Sequence, residues 1–280
     1  MRTVLRSISG PKIVVNATGC LEITTTVYPT SSWTEPYIHT AFPNAAATAS
    51  GIEAALNYLE KHQQFTKTPK PTLVVFGGDG GTYDIGFQAL SGAIERGHNF
   101  LYICYDNEAY MNTGVQRSSA TPKYAATTTT PVDFDTPGKI QWRKPLTEII
   151  AAHRLPYVAQ ASISHLTDLS AKVEKAVQLT GPKYITVLQP CTLGWRYPSE
   201  KTITYAKLAV ETRFWPLFEV TLESNQPKWT LTVDVPNPKP ITDFLKGQGR
   251  FKHLFEKQNA RLLEEIQTEV NRRWQELTDK

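Results

Sequence analysis

Cysteine is scarce in this chain: Cys20, Cys104 and Cys191 are too few and too widely spaced for a disulfide framework. Long apolar runs are also missing, and none approaches the roughly 18 residues that span a bilayer. Met1 to Cys20 carries basic residues but lacks the apolar stretch of a secretory signal. These absences predict a cytoplasmic protein with no membrane partner. Charge of one sign is nearly balanced, 30 Lys+Arg against 26 Asp+Glu, for a net +4 that argues only weakly for an anionic partner. No basic stripe with interleaved aromatics is present, which excludes nucleic acid as the expected ligand. Internal repeats and sustained heptads are absent too. What remains is an ordinary globular composition, 40% hydrophobic and 20% charged, in 280 residues. That length suffices for one large domain or two intimate ones.

The chain alternates between buried-strand and helix signals. Lys12–Asn16 (KIVVN) is a β-branched run closed by Ala17-Thr18-Gly19, and a Thr-, Pro- and aromatic-rich loop runs from Leu21 to Asn44. Ala45–Glu60 reads as a helix, with Ile52, Leu56 and Leu59 at helical spacing. Thr72–Phe76 (TLVVF) and Phe100–Tyr105 (FLYICY) are continuous apolar runs of the kind buried in parallel sheets, with a helix at Ile85–Glu95 between them. That βαβ unit requires a parallel crossover. Asn112–Lys144 is a long polar stretch, and a loop of this length inside a domain is usually functional. A second βαβ follows: strand Tyr157–Ser164, helix Leu166–Leu179, strand Tyr184–Leu188, ending on Gln189-Pro190-Cys191. Beyond it the chain is rich in Pro and Trp, with a half-exposed strand at Trp229–Val235. Arg250 to Leu277 is expected to form one long amphipathic helix, its apolar face set by Phe251, Leu254, Phe255, Leu262, Ile266, Val270, Trp274 and Leu277. The fold class predicted is α/β, a mostly parallel sheet with helices on both faces, plus an irregular C-terminal extension.

The most informative segment is Gly77-Gly78-Asp79-Gly80-Gly81, directly after a buried strand and before a helix. Glycines there let backbone approach a diphosphate, and the helix start offers N–H donors to it. The pattern is neither G-x-G-x-x-G nor a P-loop. An acid, Asp79, stands in the turn, and an acid beside a phosphate repels it unless a cation lies between them. Asp79 therefore implies Mg²⁺ or Ca²⁺. About 26 residues after Gly80, at the carboxyl end of the next buried strand, comes Tyr105-Asp106-Asn107-Glu108-Ala109. In a parallel sheet both turns emerge on one edge, where ligands of open α/β sheets bind. Asn107 can give a second oxygen ligand and a nearby carbonyl a third. Taken singly, Gly-Asp-Gly is a tight turn and Asn a cap; on consecutive strands they mark a site.

Gly-Asp-Gly followed at this distance by Asn resembles the thiamine-diphosphate fingerprint. Asn16–Cys20, Gly78–Gly86, Tyr105–Ser118, Gln189–Trp195 and Leu245–Phe255 are similar, in order and spacing, to the β subunits of pyruvate:ferredoxin oxidoreductases, over about residues 12–256. The resemblance implies a thiamine-diphosphate-binding fold in residues 1–200, with 201–280 as an extension ending in a subunit-docking helix. It implies Mg²⁺ held by Asp79, Asn107 and the carbonyl of Ala109. Gly78, Gly80 and Gly81 would line the diphosphate, with Gly19, Cys20 and Thr113 also at the cofactor. Asn112 would be the catalytic-site residue facing the thiazolium and the 2-oxoacid. Cys20 and Cys191 match two of the four thiolates of a [4Fe–4S] cluster, while Cys104 is expected to be a buried strand residue.

The activity implied is reversible oxidative decarboxylation of pyruvate with coenzyme A, electrons passing to ferredoxin. The partners implied are an α subunit carrying the pyrimidine-side Glu, a γ subunit and a ferredoxin-like δ subunit; the chain alone is expected to be inactive. The family's remaining pair of cluster cysteines, a Cys-x-x-Cys ahead of the KIVVN strand, is not in this sequence, and four thiolates are needed. The expectation is that Met1 is not the protein's own start; the rival is a real loss of the cluster. Other readings stay open: another 2-oxoacid such as 2-oxoglutarate, a branched-chain acid or oxalate, or a non-catalytic, cluster-less paralogue. His39 is a candidate contact on the pyrimidine-facing loop. His98, His153 and His165 read as turn or surface residues, and Ser118 and Ser119 have no triad partners in sequence.

Overall fold

The computed structural model describes residues 1–65, 69–133 and 135–280. After a short helix α1 (Arg2–Arg6), the chain lays down β1 (Lys12–Ala17), α2 (Cys20–Thr25), β2 (Tyr37–Thr40), α3 (Ala45–Lys61), β3 (Thr72–Gly78), α4 (Phe87–Glu95) and β4 (Leu101–Asp106). The long loop predicted up to Lys144 follows, then α5 (Leu146–Ala151), β5 (Tyr157–Ser162), α6 (Leu166–Val177) and β6 (Lys183–Leu188). The C-terminal part adds α7 (Thr192–Trp195), α8 (Thr202–Glu211), β7 (Leu217–Glu223), β8 (Gln226–Val233), α9 (Ile241–Leu245) and α10 (Ala260–Thr278).

All eight strands form one sheet, in the order β2-β1-β3-β4-β6-β5-β7-β8. The pairings from β2 through β5 are parallel, and β7 and β8 close the far edge antiparallel. Alternation explains how the sheet is covered. In β3, Leu73 and Val75 face a core with α3, α4 and α5, while Val74 and Phe76 face another with α1 and α6. Strands buried on both faces read as unbroken apolar runs, as the sequence showed. Cys104 is fully buried within β4, the fate expected of it.

Three expectations need correction. The loop from Leu21 to Asn44 contains α2 and the edge strand β2, whose backbone pairing with β1 overrides a Thr- and Pro-rich local sequence. The stretch after Cys191 holds α8, β7 and α9, which weak periodicity hid; β7 pairs with β5 and so extends the main sheet. The helix predicted from Arg250 is not continuous. Gly249–Phe255 and Lys257–Asn259 are 3₁₀ turns separated by extended Glu256, and the α-helix begins at Ala260. Its apolar stripe still packs Ile266, Val270 and Trp274 inward, but Phe251 and Leu254 enter the C-terminal core from the turn and Phe255 points to solvent.

The break has a measurable consequence. Phe251→Ala should cost about 3–5 kcal/mol of stability, as for a buried aromatic. Phe255→Ala should cost no more than about 0.5 kcal/mol. Urea denaturation of both variants checks this, and comparable losses would mean that Phe255 shares the buried face.

Candidate functional site

The topology puts four segments side by side. β1, β3, β4 and β6 are neighbours in the sheet, and their carboxyl ends lead into Gly19-Cys20, Asp79, Asn107 and Cys191 respectively. The registers Gly78↔Tyr105 and Asp106↔Leu188 hold these ends level. One edge of the sheet therefore carries every segment that the sequence marked, at the position where open parallel sheets take ligands.

Asp79 is buried just beyond β3. Its Oδ2 accepts a 2.5 Å hydrogen bond from Ser118 Oγ, and its Oδ1 accepts from the Asn107 backbone N–H at 3.4 Å. The Asn107 amide oxygen lies 2.9 Å from Asp79 Oδ1 and 2.9 Å from the carbonyl oxygen of Ala109. Its nitrogen donates to Cys20 Sγ at 3.7 Å. Acceptor oxygens with no proton between them repel, and a cation among them would relieve the repulsion. Around Mg²⁺, ligand distances of about 2.1 Å place adjacent octahedral oxygens about 3.0 Å apart. The two separations at the Asn107 oxygen, 2.9 Å each, fit oxygens that share one such ion. Turning the amide over converts the same two contacts into hydrogen bonds, which satisfies the site when no cation is bound. Among the described residues no group of three His, Cys, Asp or Glu side chains could hold a metal. The donor set is instead one carboxylate, one amide and one carbonyl, the hard-oxygen set that suits Mg²⁺. Burial, reinforced by Asp106, pushes the Asp79 carboxyl well above the usual carboxylate range. A divalent cation at this face reverses that preference for the neutral form.

Beside the oxygens lies a cavity lined by Gly19, Cys20, Gly78, Asp79, Gly80, Asn107, Ala109, Asn112 and Thr113, together with Thr18, Phe42, Tyr105, Tyr110 and Met111. Nine of the predicted residues meet here; Gly81 sits behind them, 3.0 Å from the Phe42 carbonyl by the position its Cβ would take. A Cβ on Gly80 would run into the Tyr110 ring, so the turn admits glycine alone. Between Gly80 and α4 the chain makes a π-helical turn, Gly80–Ile85, a form that recurs at functional sites. Asn112 and Thr113 are exposed at the mouth. A larger cavity of about 410 Å³ lies elsewhere, under α10, and contains none of these residues.

Cys191 does not line the cavity, but its thiol is close enough to Cys20 for their charges to interact. Burial first, and then Cys191, raise the Cys20 thiol above its ordinary value. His39 Nε2 lies 2.8 Å from Thr18 Oγ1 on the cavity rim. The remaining flagged histidines pair with surface serines: His98 with Ser50, His153 with Ser91 and His165 with Ser164.

Sequence reasoning missed the charges behind the site. Asp106 and Glu108 are completely buried, Arg143 Nη1 donates to Glu108 Oε1 at 2.9 Å, and Arg250 Nη2 donates to Glu108 Oε2 at 2.6 Å. Arg143 also pairs with Asp106 and donates to the Tyr83 hydroxyl at 2.7 Å. Ser118, seen only as a failed nucleophile, orients Asp79. A buried ion network needs partners far apart in sequence, and no local pattern announces them; the one clue was the acid pair flanking Asn107.

The fold and the glycine–acid turn define a thiamine-diphosphate-binding domain. Residues 17–187 match the family described as thiamine pyrophosphate enzyme, C-terminal TPP binding domain. Pyruvate synthase subunit PorB of Methanocaldococcus jannaschii is 52% identical, over 93% of this chain and 86% of its own length. The PorB subunit of Thermotoga maritima is 47% identical over 98% of this chain and 84% of its own. Ketoisovalerate oxidoreductase subunit VorB of Pyrococcus abyssi is 43% identical over 99% and 86%. A 2-oxoglutarate:ferredoxin oxidoreductase from Magnetococcus marinus shares the fold, with a TM-score of 0.52 and 18% identity over 93% of this chain and 88% of that one. This chain belongs to the PorB family of 2-oxoacid oxidoreductase subunits. Among the described residues no helix is long and apolar enough to cross a membrane.

The thiols should separate by reactivity. In protein free of iron, Cys20 should alkylate slowly with iodoacetamide at pH 7.5, its rate still climbing above pH 9 because burial favours the thiol form. Cys104 should react only after unfolding. Mass-mapped labelling decides, and early modification of Cys104 would contradict the packing of β4.

Proposed function

We propose that this chain is the thiamine-diphosphate- and Mg²⁺-holding subunit of an enzyme that oxidatively decarboxylates pyruvate with coenzyme A and passes electrons to ferredoxin. The observation that carries this reading is the face of three oxygens from Asp79, Asn107 and Ala109 beside a glycine-lined cavity. Asp79, the Asn107 amide and the Ala109 carbonyl hold the cation. Gly78, Gly80 and Gly81 let the diphosphate reach it at van der Waals distance. Gly19 and Thr113 line the rest of the cofactor's path, and Asn112 faces the reacting end at the mouth. When bound, thiamine diphosphate supplies the nucleophile and electron sink for loss of CO₂.

Among the described residues the lining of the cavity contains one acid, Asp79, which is committed to the cation. Proton transfer at the aminopyrimidine therefore needs a carboxylate from outside this chain, which supports an α subunit closing the exposed mouth. The γ and ferredoxin-like δ subunits complete the complex, with residues 201–280 offering the docking surface of α10. Cys20 and Cys191 supply half of the thiolates of a [4Fe–4S] cluster. Two thiols alone do not fit a whole cluster, which needs four.

Pyruvate is favoured over other 2-oxoacids by the PorB relatives. Similarity to the VorB subunit makes a branched-chain 2-oxoacid the second reading. In the assembled complex, thiamine diphosphate should quench intrinsic fluorescence only when Mg²⁺ is present, and Asp79→Asn should weaken that binding at least about 100-fold. Ferredoxin reduction should be faster with pyruvate than with 3-methyl-2-oxobutanoate. Absence of Mg²⁺-dependent binding would remove the cofactor assignment, and the reverse substrate order would move the substrate to the branched-chain acid.

A further inference from the structure

We infer that Arg250, acting through Glu108, is a positioning residue for the metal site, so that the C-terminal part of the chain sets how tightly and which divalent cation is bound. This rests on the proposed Mg²⁺ reading of Asp79, Asn107 and Ala109. Glu108 lies between two of those ligands, and it has a left-handed backbone, φ +70°. A non-glycine residue takes that conformation only when its surroundings hold it there. The turn it makes brings the Ala109 carbonyl back alongside the Asn107 amide.

The surroundings hold Glu108 at every one of its polar atoms. The Glu108 N–H donates to Asp106 Oδ1 at 3.0 Å, and its carbonyl accepts from Thr121 Oγ1 at 2.6 Å. The carbonyl of Asn107 accepts from Trp195 Nε1 at 2.8 Å. The Glu108 carboxyl, fully buried, receives one arginine on each oxygen, Arg143 and Arg250. Arg250 is in turn fixed over the Trp195 ring, 3.8 Å from its centroid, and by Gln248 Oε1 at 3.0 Å from its Nε. Arg250 thus braces Glu108 by its carboxyl and Asn107 through Trp195. Neither Arg250 nor Trp195 lines the cofactor cavity, so neither acts by touching a ligand.

A ligand carbonyl held this firmly suits the near-octahedral demand of Mg²⁺. Loosening it should weaken binding and shift preference toward Ca²⁺, which accepts variable geometry. The test uses the assembled complex with thiamine diphosphate, titrated with Mn²⁺ by EPR and with Mg²⁺ and Ca²⁺ by competition. Arg250→Met should lower Mn²⁺ affinity about 10- to 100-fold, the usual effect of losing an outer-shell partner. Arg250→Lys keeps the charge but not the two-sided fit, and should retain assembly while raising the Ca²⁺-to-Mg²⁺ affinity ratio. Loss of packing without a positioning role would lower the thermal midpoint and leave that ratio unchanged. An assembled Arg250→Lys complex with wild-type affinity and selectivity overturns the inference. Asp79→Asn is the control: if it abolishes Mn²⁺ binding while the Arg250 variants do not alter it, only the positioning role fails. If Asp79→Asn leaves binding intact, the metal assignment itself fails.

Discussion

The structure turns on a cluster of oxygens gathered at the carboxyl edge of its sheet. The Asn107 amide lies a hydrogen-bond length from both an Asp79 oxygen and the Ala109 carbonyl, and Asp79 is a buried acid. Left alone, such a group relaxes by protonating the acid or turning the amide. A divalent cation would remove the conflict, which is why these residues fit the proposed Mg²⁺. The glycines at 78, 80 and 81 matter because Tyr105, Tyr110 and the Phe42 carbonyl pack against them so closely that a side chain would force the turn apart.

Holding the oxygens in place falls to residues that touch no ligand. Ser118 orients Asp79, Trp195 anchors the strand end at Asn107, and Arg143 and Arg250 grip Glu108 from either side. Breaking a buried pair strands the opposite charge, so each member of this network depends on the others. The long polar loop and the C-terminal extension, which look peripheral in sequence, meet at this one carboxylate. Residues 217–233 extend the same sheet, and the turn after it delivers Arg250.

Much of this could be read beforehand. Apolar runs such as TLVVF and FLYICY named β3 and β4 because strands buried on both faces need no alternation. The acid in a glycine turn suggested a cation by elementary charge balance, and the oxygens gathered around it suit that reading. The word order around Asn16, Gly78, Tyr105 and Gln189 resembled one family, to which the relatives show that the chain belongs. Edge strand β2 and strand β7 escaped because edge and antiparallel strands are held by partners that local sequence does not reveal. The helix expected from Arg250 failed for a similar reason: Phe251 and Leu254 keep helical spacing, yet their packing and the reach of Arg250 toward Glu108 favour a 3₁₀ turn.

The amino-acid sequence by itself determined the chemistry on offer: which residues are acidic, which positions lack a side chain, and which runs must be buried. It determined the direction of the strands in the two βαβ units too, because those crossovers leave only a parallel pairing. Asp79 and Asn107 could be set on one edge from the βαβ pattern, but the folded sheet decided that the ends of β1 and β6, with Cys20 and Cys191, flank them there, because sheet order is not written locally. Tertiary structure alone decided that Arg250 meets Glu108, 142 positions away. Burial makes an ionic partner obligatory, but only the folded chain selects which one arrives.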